Sequence, residues 1–117
     1  MADNRMTPEL QKTLMEYENT EKQLQVVVLQ KHQMQLQLNE INLASEELKK
    51  ASGDVYKSVG AIMVKSNRAD AEVDIKERKE VLTMRLSSLA KQEEKMREHL
   101  TGIQKALQSQ MKAPGAK

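Results

Sequence analysis

A long run without helix breakers constrains this chain most. From Glu9 to Ala51 there is neither glycine nor proline, the two residues that most readily interrupt a helix. Pro8 suits the first helical position, and Gly53 ends the run. The spacing therefore predicts a first helix over about 8–51. At ~1.5 Å per residue such a helix is roughly 60–70 Å long.

Apolar residues recur in alternating steps of three and four along this segment, which is the pattern of a coiled-coil seam. Six of the eight seam positions are apolar; the positions are Leu24, Val27, Lys31, Met34, Leu38, Ile41, Ser45 and Leu48. A second stripe, formed by Leu29, Leu36 and Leu43, repeats every seven residues on another face. This stripe either packs on another subunit or consists of surface leucines that favour helix.

A second seam predicts another helix over about 68–111. Its positions are Ile75, Lys79, Leu82, Leu86, Leu89, Glu93, Met96, Leu100, Ile103, Leu107 and Gln110. Thr7 and Asn67 are the candidate N-caps of the two helices, and Asp70 follows Asn67 by three residues. Pro114 and Gly115 predict a disordered tail over 112–117.

The segment between the helices, residues 54–65, has the composition of a β-hairpin. β-Branched and aromatic residues dominate it, and Gly60 supplies a turn between strands predicted at about 55–59 and 61–65. Because a lone two-stranded hairpin is marginal in water and has unpaired edges, we expect it to assemble with other chains. The residues predicted to carry assembly are Val55, Tyr56, Val59, Ile62 and Val64.

Folding back at this hairpin predicts a mostly α, single-domain chain over 1–117: a long antiparallel two-helix coiled coil joined by one short hairpin. The register places Leu24 opposite Leu100, and both termini at the end far from the hairpin. It also places Lys31 opposite Glu93, at seam positions normally filled by apolar residues. The two charges either pair across the seam or extend to solvent independently.

Composition excludes several classes of function. The formal charge is only +2, from 19 basic and 17 acidic residues, so no general attraction to DNA or anionic lipid is expected. No nucleotide-binding motif is present, and in the predicted register His32 and His99 lie ~10 Å apart along the helices, too far to share a metal. No enzyme activity, cofactor, metal site or membrane span is expected. The absence of cysteine fits a reducing cytoplasm.

Four short segments carry a resemblance to a known family: 24–31 (LQVVVLQK), 55–60 (VYKSVG), 62–65 (IMVK) and 91–95 (KQEEK). With them the chain resembles the β-type subunit of prefoldin, of the single-hairpin kind found in archaea. The similarity extends over about residues 10–107. Ser58 and Ala61 stand where bulkier residues are expected, although the strand pattern survives both.

The resemblance implies a function that periodicity alone cannot give. Prefoldin is an ATP-independent, cytoplasmic holdase chaperone, a hexamer of two α-type and four β-type subunits. It captures unfolded polypeptides at its coiled-coil tips and passes them to a group II chaperonin. Carried onto this sequence, the client-binding residues would be Met6, Leu10, Leu14, Leu100, Ile103, Leu107 and Met111. The alternative for these residues is that they only close the coiled coil to its end.

Two other functions remain as alternatives. A structural coiled-coil scaffold could bind one folded partner, although a plain scaffold needs only a helical turn where this chain has a hairpin. A helical hairpin could also grip RNA, but the near-neutral charge and the lack of stacking aromatics argue against it.

Overall fold

The computed structural model describes residues 7–112, which form two long helices joined by a two-stranded antiparallel hairpin. Helix α1 spans Pro8–Lys50, strand β1 Val55–Val59, strand β2 Ile62–Ser66 and helix α2 Arg68–Lys112. The predicted fold class is confirmed. Met6 and the predicted tail beyond Lys112 lie outside the described residues, whereas Lys112 itself is the last residue of α2.

Both predicted N-caps are confirmed by their hydrogen bonds. The Thr7 hydroxyl oxygen accepts a hydrogen bond of 3.0 Å from the Leu10 backbone N–H. At α2 the cap is reciprocal: the Asp70 N–H donates to Asn67 Oδ1 at 2.8 Å, and Asn67 Nδ2 donates to Asp70 Oδ2 at 2.9 Å. These bonds satisfy N–H groups that the first turn of a helix leaves without an intrahelical acceptor.

The hairpin turns through a two-residue loop, Gly60 and Ala61. Gly60 has φ +58° and no other described residue has positive φ, which is the arrangement of a type II′ turn with glycine first. The register pairs Val59 with Ile62 and Val55 with Ser66. Strand β2 therefore runs one residue later than predicted, because Ala61 belongs to the turn.

The chain divides into two compact units. The terminal unit consists of Met1–Gln30 with Leu89–Lys117, and the hairpin unit of Lys31–Ser88. Buried apolar side chains mark the seam of each: Leu48 and Leu82 in the hairpin unit, and, in the terminal unit, Leu10, Leu24, Val27 and Ile103. With so few buried side chains, each unit is stabilised by a narrow seam between two helices rather than by a globular core.

Polar contacts within the terminal unit support the predicted antiparallel register. If Leu24 faces Leu100, then Thr13, eleven residues earlier, should lie near residue 111. Gln110 Nε2 donates a hydrogen bond of 3.3 Å to Thr13 Oγ1, which agrees to within one residue. The same register places Ile41 within one residue of Leu82, and in the hairpin unit these two side chains line one groove.

Candidate functional site at the hairpin and the terminal seam

The hairpin exposes apolar side chains on both of its faces. Directly paired residues project to the same face of a sheet, so Val59, Ile62 and Val64 share one face and Tyr56 and Met63 share the other. On the first face these three side chains are 48%, 61% and 44% exposed. A two-stranded sheet with uncovered apolar groups on both faces has no core of its own, and it presents free strand edges.

The five residues predicted to carry assembly all belong to this hairpin, although one of them is less accessible. Val55 is half-buried at the base, where β1 leaves the helices, whereas Tyr56, Val59, Ile62 and Val64 are exposed. Met63, which is 67% exposed, was not among the residues predicted to carry assembly. Its position inside β2, directly between Ile62 and Val64, is the signal that could have found it.

Charged side chains join the hairpin to α2 and α2 to α1 within the hairpin unit. Asp74 accepts from two sides: its Oδ1 lies 3.6 Å from Lys57 Nζ on β1, and its Oδ2 lies 3.4 Å from Arg78 Nε. The Arg68 guanidinium donates a 2.7 Å hydrogen bond to the backbone carbonyl of Lys49, near the end of α1. The contact of Asp74 with Lys57 joins β1 to α2, and the Arg68 hydrogen bond joins the start of α2 to the end of α1.

The terminal unit contains all the described residues that the sequence predicts to bind clients, and most of them face inward. Leu10 and Ile103 are buried; Leu14, Leu100 and Leu107 are half-buried. Met111 alone among these is exposed, at 67%. The seam is therefore closed in this structure, and its apolar side chains reach another chain only when the helix ends separate.

An open groove of about 740 Å³ runs beside this seam in the terminal unit. This groove was not predicted from the sequence. Its lining residues are Pro8, Gln11, Lys12, Met15, Glu16, Asn19, Thr20, Gln23, Lys95, Met96 and His99. Met15 is 63% exposed, and His99 Nε2 lies 3.8 Å from Glu16 Oε2 at the rim. Apolar, polar and charged side chains thus all line this groove.

The predicted leucine stripe lies at the surface. Leu29, Leu36 and Leu43 are all exposed, at 56%, 48% and 62%, as expected for positions away from the seam.

Lys31 and Glu93 belong to different units: Lys31 lies in the hairpin unit and Glu93 in the terminal unit. Both side chains are half-buried and engaged in interactions. Glu93 also accepts a 2.7 Å contact from Arg97. The pairing of Lys31 with Glu93 stays a prediction.

Over residues 7–112, no group of three or more histidine or acidic side chains could hold a metal ion. Within the same range, no helix is long and apolar enough to cross a membrane.

The sequence profile described as prefoldin subunit matches residues 11–113. The chain belongs to the prefoldin subunit family. It is 38% identical to the prefoldin subunit beta of Thermococcus kodakarensis over 111 residues, 93% of this chain and 95% of that protein. It is 35% identical to the prefoldin subunit beta of Methanococcoides burtonii over 110 residues, 92% of this chain and 94% of that protein.

A solved structure gives the same result for the fold. The crystal structure of the prefoldin beta subunit from Thermococcus strain KS-1 matches with a TM-score of 0.82 and 36% identity, and covers 90% of this chain and 94% of that chain. The resemblance to prefoldin β-type subunits is thereby confirmed. Membership of the prefoldin family supports a chaperone-type function and assembly with other prefoldin subunits.

Proposed function

We propose that this chain is the β-type subunit of an ATP-independent holdase that acts in the cytoplasm. Two α-type and four β-type subunits form its hexamer. The ends of the helices far from the hairpins capture unfolded polypeptides, and the complex delivers them to a group II chaperonin. The observation that carries the proposal is membership of the prefoldin family over residues 11–113.

The uncovered hairpin supports the assembly part of the proposal. Burying an apolar side chain such as Val59 or Ile62 stabilises by about 1.5–3 kcal/mol when the site is fully covered. Each hairpin carries several such groups on two faces, so strand pairing and face packing with neighbouring hairpins bury area that one subunit leaves in water. The free edges of β1 and β2 supply the backbone hydrogen bonds for that pairing.

The terminal unit supports the capture of clients. Its inward-facing leucines and Ile103 form an apolar stripe that becomes accessible when the last turns separate, and helix ends are where such opening is easiest. A single opened end would bind any one segment weakly. Six such ends on one body raise the effective concentration, so that weak contacts together retain the client.

No catalytic activity and no nucleotide belong to this proposal. The relatives named above are subunits of a chaperone, and the chain carries no sequence motif for phosphate binding. Binding and release would therefore depend on the affinities of the client for the helix ends and for the chaperonin alone.

Suppression of aggregation tests the proposal. A chemically denatured protein is diluted into buffer without nucleotide, and light scattering is followed with this chain alone, with an α-type prefoldin subunit alone, and with both after co-expression. We expect the mixed complex to suppress scattering at stoichiometric concentration. Equal scattering with and without the mixed complex would contradict the holdase function.

Native mass spectrometry separates this function from that of a structural scaffold. The holdase requires a mixed hexamer of two α-type and four β-type chains, whereas a scaffold would form dimers of this chain with no need of an α-type partner. Dimers that persist in the presence of the α-type subunit would favour the scaffold.

A further inference from the structure

Gln110 occupies a position in the terminal seam where an apolar residue is expected. It follows Leu100, Ile103 and Leu107 in the same steps of three and four, so its side chain projects toward α1. The side chain is half-buried, and its Nε2 donates a hydrogen bond of 3.3 Å to the hydroxyl of Thr13. The seam of α2 therefore ends, within the described residues, in a polar layer.

The other half of this amide is buried without a partner. Gln110 Oε1 is shielded from solvent, and no described residue donates a hydrogen bond to it. Thr13 cannot serve, because its hydroxyl proton is donated to the Glu9 carbonyl at 3.0 Å.

The closed seam therefore has a free-energy cost that the opened seam does not have, which is the dehydration of Gln110 Oε1. When the last turns separate, both amide atoms of Gln110 reach water, whereas in the closed state one of them has lost its hydration without replacement. The same separation exposes Leu10 and Leu107, which are buried and half-buried when the seam is closed. A polar group at this position shifts the local equilibrium toward the state in which apolar side chains are accessible.

We infer that Gln110 sets how readily the terminal end of the seam opens, and thereby how well this subunit captures an unfolded client. The inference rests on the proposed capture of clients at the helix ends and names the residue that controls it. This role follows from the buried amide oxygen that has no hydrogen-bond partner, and not from the sequence similarity to prefoldin.

The first test measures opening in the full-length chain by hydrogen exchange of peptides covering residues 10–17 and 104–112. Gln110→Leu removes the unsatisfied amide and should slow exchange there about tenfold, the factor expected when a buried polar group without a partner is replaced by an apolar one. Gln110→Glu, which places a charge in the same position, should speed exchange. Gln108→Leu is the matched control: the same substitution at an exposed position of the same turn should change nothing.

The second test measures protection of an aggregating client by complexes of each variant with an α-type subunit. Gln110→Leu should protect several-fold less well than the wild type, and Gln108→Leu should not protect less. Unchanged exchange in Gln110→Leu, or slower exchange with full protection, would overturn the inference while leaving the holdase function intact. A wild-type complex that gives no protection would overturn the proposed function itself.

Discussion

Single side chains determine where the helices of this chain begin. Thr7 and Asn67 each accept a backbone hydrogen bond in the first turn of their helix. Both caps could be predicted from the sequence, because each is a short polar residue at a helix start: Thr7 precedes Pro8, and Asn67 precedes a first turn that contains Asp70. At α2 a second hydrogen bond, from Asn67 Nδ2 to Asp70 Oδ2, joins the same two residues.

Replacing Asn67 tests the contribution of this cap. Asn67→Ala removes both side-chain hydrogen bonds, and we expect it to lower the free energy of unfolding by about 1 kcal/mol. Chemical denaturation followed by circular dichroism measures the change. Asn67→Asp is the control, because a carboxylate still accepts from the Asp70 N–H, although it faces a like charge. An alanine variant as stable as the wild type would show that the cap is dispensable.

Exchanging Lys31 and Glu93 tests the predicted pair at the seam. Lys31→Glu and Glu93→Lys should each lower the melting temperature, and the double exchange should recover most of the loss. Recovery should be incomplete because a lysine at position 93 faces Arg97, which contacts Glu93 at 2.7 Å in the native chain. A double variant no more stable than the worse single variant would show that the two residues do not pair.

The hairpin is the element that distinguishes this chain from a plain helical hairpin. Its turn needs Gly60, since φ +58° is rarely adopted by residues with a side chain. Its exposed valines, Ile62, Tyr56 and Met63 carry the apolar area, while Asp74 holds Lys57 on β1. The hairpin thus contacts α2 through Lys57, while most of its apolar side chains are uncovered.

Placing charge on the hairpin should block assembly without unfolding the helices. We expect the double variant Val59→Asp and Val64→Asp to keep the helical circular dichroism signal but to lose the hexamer in sedimentation with an α-type subunit. Both residues lie on one face of the sheet, so the two carboxylates would be desolvated together on packing.

A matched control separates this effect from added charge in general. Val26→Asp with Val28→Asp also replaces two exposed valines, at 54% and 38% exposure, but on α1. This control should assemble normally. A normal hexamer from the hairpin variant would show that the subunits associate elsewhere.

How far these elements could be predicted depends on which of their features have a pattern in the sequence. Seam spacing and helix breakers predicted α1 and α2, and β-branched and aromatic residues around Gly60 predicted the hairpin, because each of these is a local signal in the sequence. The one-residue shift of β2 and the contact of Asp74 with Lys57 depend on backbone angles and on side-chain reach, which have no periodic signature. Likewise, the pattern placed Gln110 in the seam, but only the structure shows that its oxygen lacks a partner.

For the whole molecule, we propose that the hairpin unit carries assembly and that the terminal unit carries the capture of clients. All described client-binding candidates belong to the terminal unit, and all assembly candidates belong to the hairpin unit. The assembly candidates lie on β1 and β2, and the described client-binding candidates lie on α1 and α2. A substitution in one set should therefore leave the function of the other set intact.

Deleting residues 1–12 and 104–117 tests that separation most directly. The truncated chain keeps the hairpin and most of the seam, so sedimentation with an α-type subunit should still show a hexamer. Light scattering of a denatured client should show that protection falls sharply relative to the full-length complex. A truncated hexamer that protects as well as the full-length one would contradict the account and place the client-binding surface elsewhere on the complex.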